Sequence, residues 1–287
     1  MTGRALKTSV IYATADRPSI VAQAVRELGR QTQPPHAVIL SCVRAADAGE
    51  AAGTLVLGEP GLTKQRNAAL RTVPSDTDLV AFFDDDFVAD PHWIEVAAAA
   101  FAAYPDIAAV TGALVADGIK GPGLTFADAA RLLAESGAPA QDIEEGYLPY
   151  GCNMIFRRAA LEGLRFDERL VLYGWQEDRD FGQRVAQRGR AVRIGGARGV
   201  HLGVKAGRVS GLRLGYSQIA NPLYLWAKGT MHSAAVADHL ARNVSSNLAR
   251  AIAPEPHVDR LGRLRGNALA LIDLVRGKMA PERILTL

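Results

Sequence analysis

Cysteine is scarce in this chain of 287 residues, which contains only Cys42 and Cys152. Two such residues supply neither a disulfide framework nor the spacing of a zinc site, so a reducing compartment is expected. Long apolar runs are also missing, because the best run, residues 96–103, is far shorter than the ~18 residues of a membrane-spanning helix. The N-terminal segment meets polar residues at 16–18 too soon for a secretory signal. These absences predict a soluble cytoplasmic protein.

The chain also lacks an excess of one charge, since 33 basic residues face 30 acidic ones and the net charge is +3. A nucleic-acid partner is therefore not expected. There are no internal repeats, and the composition, 48% hydrophobic and 22% charged, excludes a largely disordered, collagenous or coiled-coil protein. At ~150 residues per domain, the length allows two domains, or one domain with an extension.

The first third of the chain alternates short apolar runs with helical patterns. Strands are predicted at residues 9–13, 37–42 and 79–83, and helices at 18–28 and 64–71. This β-α-β-α-β order favours a parallel sheet with helical crossovers. The runs are continuously apolar, which is typical of strands buried on both faces.

The rest of the chain divides into two parts. Beyond residue 207 the pattern becomes that of long helices, so we predict an α/β catalytic-type domain over residues 1–205 and a helical region over residues 206–287. The further elements predicted are a helix to residue 104, a strand at 107–114, loops at 118–123 and 137–150, a strand, helix and strand over 151–205, and helices at 231–252 and 258–276.

Three adjacent carboxylates, Asp84, Asp85 and Asp86, follow the third predicted strand. Like charges so close together repel one another unless a cation accompanies them. Ligands bind beyond the carboxyl ends of strands in open α/β sheets, and alternate residues of an extended segment share a side, so Asp84 and Asp86 should point one way. Such a pair suits Mg²⁺ or Mn²⁺. The alternative is a solvated acidic turn that leads into the next helix.

A second acidic pair, Glu177 and Asp178, begins a predicted helix. Either the pair complements the helix dipole, or one carboxylate accepts a proton from a substrate hydroxyl. Trp175 lies just before the pair, where its ring could form one wall of a binding site. His201 follows a predicted strand at residues 191–194, and it gains importance only if the fold brings it to the first acidic cluster.

Five segments, in this order, resemble those of the family 2 glycosyltransferases with the GT-A fold. They span roughly residues 8–205, and the ordered set carries the resemblance more than any single segment does. The segments are residues 10–18 (resembling the first strand and nucleotide-binding loop), 61–70 (the Gly…Ala-Arg-Asn segment), 83–86 (the metal-binding Asp-x-Asp), 151–158 (the acceptor-side strand), and 166–168 with 177–181 (the Glu-Asp segment that holds the catalytic base).

The resemblance implies a Rossmann-like α/β domain with a mixed, mostly parallel sheet and flanking helices, followed by a helical C-terminal extension. Residues 1–115 would form the nucleotide-sugar half and residues 116–205 the acceptor half. It also implies a hexosyltransferase-type enzyme that moves a sugar, with inversion and with Mn²⁺ or Mg²⁺, from a nucleotide-diphosphate sugar to an acceptor hydroxyl. The acceptor would be a glycan or a lipid-linked molecule, in polysaccharide or glycoconjugate synthesis.

The resemblance further implies roles for individual residues. Asp86 would be the main metal ligand, with Asp84 and His201 as further ligands. Asp178 would be the catalytic base, with Glu177 orienting sugar or acceptor, and it must therefore come near the metal site. The substrate-binding candidates are Thr14, Asp16, Arg17, Arg66, Asp84, Asp85, Asn153 and Trp175, of which Asp84 or Asp85 would hold ribose or water.

Two features depart from the family pattern. Members usually carry an acidic residue after the second strand to hold the nucleotide base, whereas residues 40–44 read Leu-Ser-Cys-Val-Arg, which leaves Asp47 as a substitute. The Gln-x-x-Arg-Trp signature of processive polysaccharide synthases is absent, which favours transfer of one or a few sugars.

Other functions and partners stay open. A nucleotidyltransferase would also use paired carboxylates and a metal, but it needs a Gly-rich loop for a triphosphate, and residues 11–18 contain no glycine. A non-catalytic sugar-nucleotide or glycan-binding protein could keep the same fold. The C-terminal helices mix basic and apolar residues, a pattern compatible with peripheral contact at the inner face of the cell membrane, with a homodimer or with plain packing.

Overall fold

The structure, a computed structural model, describes residues 4–119, 121–138, 142–205, 210–252, 255–256 and 258–287. The predicted start of the helical region, residues 206–209, and parts of two predicted loops, Lys120 and residues 139–141, lie outside the described residues. The chain forms two compact units. The first unit contains residues 1–60, 64–166 and 181–207, and the second contains residues 61–63, 167–180 and 208–287.

The first unit is built on one mixed sheet. The strands in the described residues are β1 Thr8–Thr14, β2 Ala37–Cys42, β3 Thr54–Leu57, β4 Leu79–Asp84, β5 Phe87–Ala89, β6 Ile107–Asp117, β7 Ile143–Glu145, β8 Asn153–Arg157 and β9 Arg190–His201. Their order in the sheet is β3-β2-β1-β4-β8-β6-β9-β5, and β7 pairs with β9. The predicted α/β fold class is confirmed.

The centre of the sheet is buried on both faces. β1 pairs in parallel with β2 and with β4, so that Ile11 lies opposite Ile39 and Phe82. Successive residues of β1 enter different cores, since Val10 and Tyr12 belong to one hydrophobic cluster and Ile11 to another. This alternation explains why the strand sequences are apolar throughout.

Five helices accompany this sheet in the described chain. They are α1 Pro18–Leu28, α2 Leu62–Leu70, α3 Trp93–Ala103, α4 Phe126–Glu135 and α5 Glu177–Val185. In α5, Phe181 and Val185 are fully buried, as the helical spacing predicts. The first four residues of α5, which include Glu177 and Asp178, fall in the second unit.

The structure corrects three predictions about the strands. β3 was not predicted, because its four residues are mostly exposed and carry little burial pattern. β7 lies in a segment predicted to be a loop. β9 continues past Ile194 to His201, so that His201 ends this strand instead of following it. Glycines 195 and 196 lie inside this strand beside a register shift against β6, an irregularity that glycine in a strand often marks.

The second unit contains three long helices, α6 Gly211–Lys228, α7 Ser233–Ile252 and α8 Arg260–Val275. α6 and α8 approach closely, because a Cβ atom on Gly215 would lie 2.0 Å from the carbonyl oxygen of Arg263. The expected helical C-terminal region is present. Among the helices that the structure describes, none is both long and apolar enough to cross a membrane.

Candidate active site

The acidic cluster Asp84–Asp86 lies at the turn between β4 and β5, at the carboxyl end of β4. The neighbouring ring of Phe83 packs edge-on against Trp93, with centroids 4.8 Å apart, and fixes this turn on the core. Asp85 and Asp86 are only 4% and 5% exposed. A solvated acidic turn, the alternative considered from the sequence, is therefore wrong.

Asp85 is bonded to the loop that follows β1. Its Oδ2 accepts a hydrogen bond from Thr14 Oγ1 at 2.6 Å, and its Oδ1 accepts one from Arg17 Nη1 at 3.0 Å. Burial raises the pKa of Asp85 to about 6, with the Arg17 charge acting in the opposite direction. Three residues predicted to bind substrate thus form one hydrogen-bonded group.

Asp84 and Asp86 share a side with His201. One ligand atom from each residue lies within 4.8 Å of the other two. Asp86 Oδ1 lies 3.4 Å from His201 Nε2, and Asp86 Oδ2 accepts a hydrogen bond from the backbone N–H of Val204 at 2.7 Å. The antiparallel pairing of β5 with β9 brings them together, since it places His201 opposite Phe87, the residue after Asp86.

Asp117, which was not predicted as a site residue from the sequence, completes this group. It ends β6, and its Oδ1 lies 2.9 Å from His201 Nδ1, while its Oδ2 accepts a hydrogen bond from the Tyr150 hydroxyl at 3.3 Å. The parallel pairing of β6 with β9 places Asp117 beside His201. The sequence did contain a signal for Asp117, because this carboxylate ends an apolar strand, as Asp84 does.

The electrostatics of this group keep His201 protonated. Burial lowers the pKa of a histidine, but hydrogen bonds to Asp117 and Asp86 outweigh it and raise the pKa of His201 to about 10. The pKa of Asp86 lies below its ordinary value. Burial disfavours the ionised carboxylate, but the contact with His201 favours it. An imidazolium therefore offsets the negative charge where carboxylate oxygens converge. Two carboxylates and one imidazole also fit a divalent cation, which would replace that proton.

Arg66 supplies a second cation to the cluster. It is 2% exposed, and its Nη2 donates to Asp84 Oδ1 and to the carbonyl oxygen of Gly151, both at 3.0 Å. Its guanidinium lies over the rings of Phe82 and Phe166, 5.7 and 5.4 Å from their centroids. These contacts fix the position of Arg66, so that its charge is directed at Asp84.

Asp16 and Asp47 gather around Arg44 in the loops after β1 and β2. Asp47 is 1% exposed and accepts hydrogen bonds from the Arg44 backbone N–H at 2.9 Å and from Arg44 Nη2 at 2.8 Å. The Arg44 side chain holds the pKa of Asp47 below its ordinary value and also pairs with Asp16. The oxygens of Asp47 are thus engaged within the loop, which gives no support to Asp47 as the substitute for the missing base-holding acid.

Asn153 joins two strands of the sheet. It is fully buried, and its Oδ1 accepts hydrogen bonds from the backbone N–H of Gly112 at 2.6 Å and from Thr111 Oγ1 at 3.1 Å. These bonds tie β8 to β6. Its role as a substrate contact stays a prediction.

The second acidic segment belongs to the second unit. Glu177 is buried and Asp178 is half-buried, with Asp178 Oδ1 accepting a hydrogen bond from the backbone N–H of Arg179 at 2.7 Å. Arg179 Nη1 donates to His239 Nε2 at 3.0 Å, and the His239 ring packs edge-on against Trp175 at 6.2 Å. Because a guanidinium only donates, His239 is the neutral acceptor. The expected approach of Asp178 to the metal site stays a prediction.

The loop before Asp178 has a strained backbone. Leu172, Gly174 and Gln176 have φ angles of 58°, 64° and 74°. Leucine and glutamine adopt this left-handed region at a cost of about 1–3 kcal/mol each. Glycine is required at 174, because a Cβ atom there would lie 2.9 Å from Glu177 Cγ. Strain of this kind is concentrated at functional sites.

Asp180, in the same segment, is tied to its own unit by strong contacts. It is fully buried, and it accepts hydrogen bonds from Thr230 Oγ1 at 2.8 Å and from Lys228 Nζ at 2.9 Å. Lys228 also binds Asp167 at 2.5 Å. Asp180 therefore anchors the start of α5, whereas Asp178 is half-buried.

Comparison with known proteins finds one matching family model. Residues 54–165 match the model of glycosyl transferase family 2. No match is found among curated proteins.

Solved structures resemble the chain as a whole. S. aureus TarS 1–349 has a TM-score of 0.60 and 16% sequence identity, and the match covers 97% of this chain and 82% of that one. The complex of TarS 1–349 with UDP-GlcNAc has a TM-score of 0.55 and 17% identity, and the match covers 97% of this chain and 83% of that one. GalNAc-T7 with UDP, GalNAc and Mn²⁺ gives 0.53 at 14% identity over 69% and 44%. At this identity the likeness shows the fold. With the family match, it confirms the resemblance to the family 2 glycosyltransferases of the GT-A fold.

Proposed function

We propose that this protein is an inverting, metal-dependent glycosyltransferase that moves a sugar from a nucleotide-diphosphate sugar to an acceptor hydroxyl. The observation that carries the proposal is the convergence of Asp84, Asp86 and His201 at the end of β4, close to a buried Arg66. This convergence lies in a chain whose residues 54–165 match the family 2 model. A metal ion at this site, together with nearby cationic side chains, would stabilise the negative charge of a diphosphate leaving group.

The residues that would hold the metal are Asp86, as the main ligand, and Asp84 and His201. Bound Mn²⁺ or Mg²⁺ would neutralise the charge that develops on the leaving diphosphate. Asp117 would hold His201 by its Nδ1, an outer contact that is typical of histidine ligands. Val204 would hold Asp86 in the same way.

The donor would be bound by the loop after β1 and by Arg66. Thr14 and Arg17 are already bonded to Asp85, so the ribose or a water would meet a preorganised group there. Asp16 would contact the nucleotide, and Arg66 would face the diphosphate beside Asp84. TarS has been solved with UDP-GlcNAc and GalNAc-T7 with UDP and Mn²⁺, which makes uridine donors with Mn²⁺ the first choice here.

The acceptor would be activated by Asp178. Its carboxylate would take the hydroxyl proton as the acceptor oxygen bonds to the anomeric carbon and the bond from that carbon to the diphosphate breaks. Glu177 would orient sugar or acceptor. Trp175 and Asn153 would complete the acceptor side.

We also propose that the protein is cytoplasmic and contacts the inner face of the cell membrane, where a lipid-linked acceptor would lie. Two acidic residues, Asp273 in α8 and Asp259 just before it, would contribute little repulsion against an anionic membrane. Asp273 is 5% exposed, and Asp259 accepts a hydrogen bond from the backbone N–H of Gly262. An exposed mixture of apolar and basic side chains suits an anionic lipid surface. That exposed set is Leu261, Arg265, Leu271, Ile272, Leu274, Val275, Arg276 and Lys278.

An assay of nucleotide release from a panel of sugar donors tests the transferase proposal. We expect release that requires Mn²⁺ or Mg²⁺, stops on chelation and is lost in Asp86→Ala. The matched control is Asp106→Ala, which removes an exposed carboxylate paired only at the surface with Arg190, and it should keep full activity. Thermal unfolding of both variants verifies that they are folded.

Each competing function gives a different result in this assay. Donor binding without release would indicate a non-catalytic sugar-nucleotide-binding protein. Release of pyrophosphate from a nucleoside triphosphate would indicate a nucleotidyltransferase. Release that is equally fast in Asp86→Ala would contradict the proposed metal site.

Sedimentation with vesicles tests the membrane contact. We expect binding to vesicles that contain phosphatidylglycerol, weaker binding to pure phosphatidylcholine, and loss of binding in the double variant Arg265→Glu, Arg276→Glu. Absence of binding at low salt, or a stable dimer that persists in the double variant, would contradict it.

A further inference from the structure

Backbone hydrogen bonds shape the strained loop 172–178, since Gly174 donates to the carbonyl oxygen of Val171 at 3.1 Å and Asp180 to that of Gln176 at 3.1 Å. Inside it, the backbone N–H of Glu177 donates to the carbonyl oxygen of Gly174 at 2.7 Å. This turn does not account for the left-handed conformation of both Leu172 and Gln176. Strained conformations persist only where the surroundings determine them, so contacts from outside the loop must hold it.

One such contact comes from α6. Asn221 is 3% exposed, and its Nδ2 donates to the carbonyl oxygen of Trp175 at 2.8 Å. Trp175 lies between two left-handed residues, Gly174 and Gln176. The bond therefore fixes the peptide group at the most unusual part of the loop.

A second contact comes from α7. The His239 ring packs edge-on against Trp175, before Asp178 in the chain, and His239 Nε2 accepts from Arg179, directly after it. His239 thus contacts the chain on both sides of the Glu177-Asp178 pair. These two contacts restrain the backbone on either side of Asp178.

We propose that Asn221 and His239 are positioning residues that hold the loop 172–178 in the conformation from which Asp178 acts. The proposal rests on the proposed function, in which Asp178 is the base. It gives the helices α6 and α7 a part in the reaction, in addition to their packing. Neither residue touches the reacting atoms in this role; both act through Trp175 and Arg179.

Amide exchange and transfer kinetics of the full chain test the proposal together. In Asn221→Ala and His239→Ala, we expect amides of residues 172–178 to exchange about 3- to 10-fold faster, the range expected for loss of one hydrogen bond. We expect kcat to fall by a larger factor than donor KM rises, because the proposed contacts with the nucleotide and the diphosphate, at residues 14–17 and Arg66, lie outside this loop. His239→Gln should restore both properties in part, since a glutamine oxygen can accept from Arg179.

The matched control is Asn247→Ala in α7. Asn247 is fully buried and donates to Gln218 and Asn267, so its loss should lower thermal stability without touching the loop. Loop exchange in Asn221→Ala and His239→Ala no faster than in this control would overturn the proposal. So would an unchanged kcat in both variants.

The outcomes also separate the proposal from the proposed function. If Asp178→Asn keeps full activity, Asp178 is not the base and the positioning role falls with it, whatever the exchange data show. If Asp178→Asn is inactive while Asn221→Ala and His239→Ala keep wild-type kcat, the proposed function stands and the positioning role is overturned.

Discussion

The two acidic segments of this protein look alike in sequence but differ in what surrounds their carboxylates. Asp84–Asp86 is met by Arg17, Arg66 and His201, and oxygen and nitrogen atoms converge within 4.8 Å. In the second segment, Asp180 is bound by Lys228 and Thr230, whereas Asp178 is half-buried. The first segment is surrounded by positive charge, and the second holds Asp180 firmly while Asp178 is only half-buried.

This difference teaches that a run of carboxylates does not define a role by itself. In the first segment, burial and mutual repulsion disfavour the charge of the carboxylates, and Arg17, Arg66 and His201 offset it. In the second segment, Lys228 offsets the buried charge of Asp180, and under our proposal the neighbouring Asp178 accepts the proton.

The largest effect is expected for Asp178→Asn. Loss of a general base reduces rates by about 10²- to 10⁴-fold, so kcat should fall by that factor while donor affinity stays unchanged. Transfer kinetics and calorimetric donor titration measure the two properties. A loss of donor affinity as large as the loss of rate would assign Asp178 to binding instead.

The next effect is on stability and concerns Asp180→Ala. Removing this carboxylate leaves Thr230 and Lys228 without their shared acceptor, which should lower the free energy of unfolding by about 1–3 kcal/mol. Asp178→Asn serves as the comparison and should change it by less than about 0.5 kcal/mol. Urea unfolding of both variants measures this difference, and equal values would contradict the division of roles.

The first unit should differ from the second in how its stability depends on pH. The pKa of His201 is raised from 6.5 to about 10, so its contribution to stability is complete below about pH 6.5 and is lost as the pH rises toward 10. In metal-free protein, raising the pH from about 6.5 to about 9.5 should therefore lower the melting temperature more in the wild type than in His201→Gln. Parallel curves would show that Asp86 and Asp117 do not hold an imidazolium.

The smallest effect concerns the second unit, where stability should fall at low pH and not at high pH. Burial and the Arg179 charge lower the pKa of His239, so the unfolded chain takes up a proton before the folded one as the pH falls below 6.5. Stability should then decrease from about pH 6.5 to about pH 5, and less so in His239→Gln. A steeper decrease in His239→Gln than in the wild type would contradict the neutral His239 acceptor.

The sequence predicted what local patterns encode. Apolar runs identified β1, β2 and β4, and the carboxylates after β4 were selected because they follow such a run. Asp117 and the strand position of His201 were missed, since they depend on the register of β6 against β9, which pairs residues 84 apart in the chain. The contacts of Asn221 and His239 with the loop before Asp178 likewise depend on how helices pack, and no local periodicity encodes them.

Calorimetric titration with UDP in the presence and absence of Mn²⁺ tests the central point most directly, which is that the residues at the end of β4 form a cation-dependent donor site. We expect the wild type and Asp106→Ala to bind UDP more tightly with Mn²⁺, and Asp86→Ala to lose this gain while remaining folded. Equal enhancement by Mn²⁺ in Asp86→Ala and in the wild type would contradict it.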